Sequence, residues 1–70
     1  MMPLTMAGIG ETVTIAKVTG KEEVCQHLAE LGFVPAADVT SVSKISGNLI
    51  IRVKGSRIAL DKTMANRILY

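Results

Sequence analysis

The chain has 70 residues, enough for one domain, and a domain of this size buries only roughly 60% of the surface its unfolded form exposes. Cys25 stands alone, so no disulfide can reinforce the fold, and a lone cysteine fits a reducing compartment. Eight Lys and Arg against six Asp and Glu leave a formal charge of +2, scattered along the chain, and the aromatics are only Phe33 and Tyr70. Nucleic-acid binding draws on clustered cations and stacking platforms, so that class is excluded. No apolar stretch approaches the ~20 residues that cross a bilayer. "MMPLTMAGIG" also lacks the basic region and apolar run of a signal peptide. The sequence therefore predicts one soluble, cytoplasmic domain over residues 1–70, with no membrane insertion.

A turn at Gly8 to Gly10 leads into "ETVTIAKV", Glu11 to Val18, whose β-branched alternation predicts a first strand with Val13 and Ile15 on one face. The period then changes. Val24, Leu28 and Leu31 stand at i, i+4 and i+7, one stripe of a helix. Thr19 and Glu22 have the form of a capping box, weakened by Gly20. Gly32 in a left-handed conformation would end the helix, with Phe33 folded back onto Leu28 in a Schellman ending. Pro35 prevents helix from resuming and pushes Val34 into an extended conformation.

Three β-favouring runs follow: "ADVTSVSKI", "NLIIRVK" and "SRIALD". Ser46-Gly47-Asn48 fits a hairpin loop, and Gly55-Ser56 a two-residue primed turn with glycine first. Leu49, Ile51 and Val53 should face inward, with Ile58 and Leu60 continuing the core and Ile50, Arg52 and Lys54 outward. Asp61 looks like the N-cap of a one-turn helix, "KTMAN", with Ala65 packed inward. "RILY" closes the chain as strand through Ile68 and Tyr70. The expected fold is a mostly β, partly open barrel of about five strands, with one α-helix after the first strand and a one-turn helix before the last.

Chemistry-bearing constellations are few. Cys25 and His27 lie i and i+2, about 200° apart on a helix, and cannot share one metal ion. His27 with Glu23 or Glu30 gives fewer ligands than a stable site needs. Cys25 reads as a small, semi-buried hydrophobe. "GIG" lacks the helix and Lys-Ser/Thr of a phosphate loop, and one histidine offers no catalytic arrangement. No catalytic residue, metal ligand or cofactor is expected, and the protein reads as a non-enzyme.

Leu4, Gly10-Glu11, Ile15, "HLAELGFVPAADV", "VKGSRIAL" and "TMANRIL" together resemble the FeoA family, small cytoplasmic companions of the bacterial ferrous-iron permease FeoB. "HLAELGFVPAADV" is the most specific part, similar to a family pattern of a basic residue, Leu, two variable residues, Leu-Gly, an apolar residue and Pro-Gly. His27 stands where arginine is usual, and Ala36 where glycine is usual. The resemblance implies an SH3-like β-barrel and a non-enzymatic adaptor that docks to the cytoplasmic G-protein domain of FeoB. An arginine finger, which stabilises charge on a transferred phosphoryl group, is harder to defend with His27 at the family's arginine position. The expected partner-binding residues are Gln26, His27, Glu30, Phe33, Val34 and Pro35, a small apolar patch with a polar rim. Two alternatives belong to other classes: an SH3-like peptide binder unrelated to iron, which this chain gives few aromatic walls, and a metal-sensing or iron-carrying module.

Overall fold

Alternation decides where the sheets bury their side chains. In the computed structural model, which describes residues 1–70, six short strands and two helices run in the order β1 (Thr12–Thr14), β2 (Lys17–Val18), α1 (Glu22–Leu31), β3 (Asp38–Ile45), β4 (Asn48–Val53), β5 (Ser56–Asp61), α2 (Lys62–Ala65) and β6 (Ile68–Leu69). Leu49, Ile51 and Val53 of β4 are buried, while Asn48 and Arg52 are exposed, the expected period of two. One sheet has the order β1-β3-β4-β5, and β2 pairs with β6 in a second. Every pairing is antiparallel. The two sheets enclose one core that includes Val13, Ile15, Leu28, Phe33, Val39, Ile51, Leu60, Ala65 and Ile68. Each fully buried Leu, Ile or Val contributes ~1.5 to 3 kcal/mol, which must offset chain ordering without a disulfide.

The run Glu11–Val18 is two strands, not one. Ile15 and Ala16 interrupt it, because β1 pairs with β3 whereas β2 pairs with β6. Ile15 stays buried at the bend, its N–H donating to the Ala37 carbonyl, while Ala16 N–H donates to Leu69. The barrel turns its corner here, and the strand count becomes six.

Local chemistry corrects three further expectations. The capping box at Thr19 does not form: the helix begins after Lys21, which has no side-chain cap bond. Thr19 is held instead by its N–H and its hydroxyl, both donating to the Arg67 carbonyl at 2.7 and 3.3 Å, next to the β2-β6 pair. The β4-β5 turn is centred on Lys54-Gly55, with Val53 opposite Ser56. Both turn residues have positive φ, 51° and 77°, so it is the mirror-image type I turn, whose twist matches the strands. Ser46 and Gly47, at 50° and 82°, make the same turn between β3 and β4, and Asn48 already belongs to the strand.

The N-terminal segment adds structure that periodicity did not show. Leu4–Met6 forms a 3₁₀ turn, and Leu4 and Ala7 enter the core. Met2 and Tyr70 exchange both backbone hydrogen bonds at 2.8 Å, extending the second sheet with the chain's beginning.

Candidate functional site

The corner from Gln26 to Ala37 is fastened at both ends. Gly32 has φ 108°, and its N–H donates to the Ala29 carbonyl at 3.0 Å while Phe33 N–H donates to Leu28 at 2.9 Å. These two bonds are the Schellman pair that satisfies the last helical carbonyls. A Cβ on Gly32 would lie 3.0 Å from Val53 Cγ2, so any other residue would crowd Val53 as well as strain the left-handed backbone. Val34 to Ala37 then form a tight turn closed by Ala37 N–H to the Val34 carbonyl at 3.1 Å, with Pro35 and Ala36 in the middle. Ala36 has φ 74°, the left-handed value that the third residue of a type II turn requires. This is the position where the family pattern has glycine. Ala36 N–H donates to the Ile15 carbonyl at 2.8 Å, tying the turn to the bend between β1 and β2.

Gln26, His27, Glu30 and Pro35 are exposed and Val34 is half-buried, so these five can share a surface. Phe33 cannot belong to it. Its side chain is 0% exposed and lies in the core, because the Schellman geometry folds it back under the helix beside Leu28. Phe33 therefore supports the corner from beneath. One neighbour was invisible to sequence reasoning: the Cδ and Cε atoms of Lys54 lie 3.4 and 3.5 Å from where a Gly32 Cβ would be. The stem of this exposed lysine thus covers the glycine, and the β4-β5 turn joins the corner. Only register and closure bring Lys54 there, and neither leaves a local signal.

Helix α1 contains Glu22, Glu23 and Glu30 and no Lys or Arg. Cys25 is half-buried with its thiol 3.7 Å from the carbonyls of Val18 and Gly20, the placement of a packed thiol. No three side chains among His, Cys, Asp and Glu converge as a metal-ligand set. A separate hollow of about 290 Å³ is lined by Thr5, Met6, Lys44, Gly47, Leu49 and Lys62. Lys44 reaches it because it stands opposite Leu49 on the inward face at the end of β3. No helix is long and apolar enough to cross a membrane.

The fold and its corner define the SH3-like class of small barrels. A Stenotrophomonas maltophilia FeoA, solved in complex with zinc and described as a prokaryotic SH3 domain protein, superposes with a TM-score of 0.86 at 25% identity, over 99% of this chain and 88% of that one. An iron uptake regulatory protein, also a FeoA, superposes with a TM-score of 0.88 at 30% identity, over 96% and 89% of the two chains. The same barrel is found in a manganese-dependent transcriptional repressor, TM-score 0.84 at 16% identity, where this chain covers 38% of the repressor, a likeness of fold alone. Within the class the assignment is specific: the model of the FeoA domain matches residues 2–70, and the chain belongs to the FeoA family. A Methanocaldococcus jannaschii protein named "Putative Fe(2+) transport protein A" is 30% identical over 69 residues, 99% of this chain and 84% of the relative.

Proposed function

We propose that the protein is a non-enzymatic accessory of ferrous-iron uptake that docks, from the cytoplasm, to the G-protein domain of the FeoB permease. Membership of the FeoA family over residues 2–70 supports the iron-transport part of this reading. The observation that carries the docking part is the corner itself. A helix ending and a type II turn, each locked by backbone hydrogen bonds, hold Val34 half-buried and Pro35 exposed just after the helix that contains the exposed His27 and Glu30. Binding to a surface already rigid costs little ordering entropy, and an apolar patch with a polar rim suits a protein partner. The contact residues are Gln26, His27, Glu30, Val34 and Pro35, joined by Lys54. His27 in place of the family's arginine favours docking over a phosphoryl-stabilising finger, since imidazole lacks the planar fork of five donors.

Titrating isotope-labelled protein with the G-protein domain and following amide shifts tests this directly. Shifts should cluster at residues 26–36 and at the β4-β5 turn. Shifts elsewhere would remove the surface assignment, and none at high concentration would count against docking to this domain.

A further inference from the structure

The β4-β5 hairpin contains an arrangement that costs stability and that the fold does not require. Arg52 stands directly opposite Arg57 in the register, and both are exposed. Directly opposed side chains on an antiparallel pair have Cβ atoms ~4.5 to 5.5 Å apart, and like charges there are destabilising. Lys54 adds a third cation at the hairpin's tip, where its φ of 51° would suit asparagine or glycine better. From Asn48 to Leu60 there is no Asp or Glu. Along the same sheet face, Asp38 accepts from the Thr14 hydroxyl at 2.6 Å and Asp61 caps α2 through Met64 N–H at 2.8 Å, and neither hydrogen-bonds an arginine. None of the side-chain hydrogen bonds involves either guanidinium.

We propose that this end of the hairpin is an anion-recognising surface that receives an acidic segment of a protein partner. Each guanidinium has a planar fork of N–H donors that matches a carboxylate bidentately, and an acid bound between two directly opposed arginines offsets their repulsion. A protein segment fits better than nucleic acid, because Phe33 is buried and Tyr70 is half-buried, so no fully exposed aromatic side chain offers a stacking platform for bases. The proposal rests on the reading that the barrel meets a protein, and Lys54 joins the hairpin tip to the corner.

The test is an amide-shift titration with the peptide acetyl-Glu-Glu-Leu-Glu-Glu-amide, beside thermal melts of Arg52→Gln and Arg57→Gln. Saturable shifts are expected at Thr40 and residues 52–57, with affinity falling as salt rises. Each variant should bind ~3- to 10-fold more weakly at low salt. Relief of repulsion should raise the melting temperature by ~1 to 5 °C, or leave it unchanged. The proposal is overturned by absence of saturable shifts, by equal shifts with sodium phosphate at matched ionic strength, by tighter binding of a DNA duplex, by undiminished binding in both variants, or by lower melting temperatures. Peptide binding without binding of the G-protein domain would refute the permease reading and leave this one standing. Docking of that domain at residues 26–36, undisturbed by either variant, would do the reverse.

Discussion

Ala36 shows how one residue can keep a turn while weakening it. Its φ of 74° is a conformation that costs an L-residue with a Cβ ~1 to 2 kcal/mol, and the turn holds because Pro35 fixes the preceding dihedral and the Ile15 carbonyl takes the Ala36 N–H. Ala36→Gly removes that strain but frees the unfolded chain, so the net gain should be ~0.5 to 1 kcal/mol in a urea melt. Gly32→Val acts in the opposite sense. The new side chain would meet Val53 Cγ2 at 3.0 Å in a left-handed backbone, and a loss of ~2 to 4 kcal/mol is expected from strain and overpacking together. Unchanged stability in that variant would show that Gly32 is not left-handed. Both special positions were legible as residue types: glycine at the helix end and an alanine at a glycine site. The 3.0 Å approach of Val53 was not, since the two residues are 21 positions apart and touch only when the barrel closes.

At the scale of elements, local signals worked where a side chain had no competing partner. Asp61 is an N-cap as its position before "KTMAN" suggests, its carboxylate accepting Met64 N–H at 2.8 Å. Asp61→Ala should cost ~1 kcal/mol, read as a lower melting temperature, with Asp61→Asn recovering most of the loss. Thr19 carried a similar signal and failed, because pairing with Arg67 captured its N–H and hydroxyl before the helix began. The split of Glu11–Val18 has the same origin. Alternation reports which face is buried, and Val13 and Ile15 are buried as it says, but it does not report which neighbour each half will pair with. In the β4-β5 hairpin, glycine marked the turn, and the register of Val53 with Ser56 moved its centre to Lys54-Gly55.

The whole molecule sorts the corner into support and surface. The Schellman ending turns Phe33 inward to 0% exposure and leaves Val34 at the boundary, so of these adjacent apolar residues only Val34 is open to a partner. Val34→Asp should accordingly leave the melting temperature within a few degrees of the parent. The same change should weaken binding of the G-protein domain by about tenfold or more, measured by the same titration. Equal loss of folding and of binding would make Val34 part of the core instead. Closure also gathers the acidic face of α1 and the cationic hairpin β4-β5 into one small barrel, linked by the Lys54 stem across Gly32. A partner that meets both must present complementary charges in a fixed order, which favours specificity over raw affinity.

The sequence by itself determined the mostly β class, the longer helix with its glycine stop, the inward triad Leu49, Ile51 and Val53, and the family, because each is written in spacing or in residue types at consecutive positions. Only the tertiary structure decided that Leu4 and Ala7 complete the core, that the Lys54 stem covers Gly32, and that Arg52 and Arg57 stand directly opposite each other. Those facts depend on strand register and barrel closure, which bring together residues with no relation along the chain.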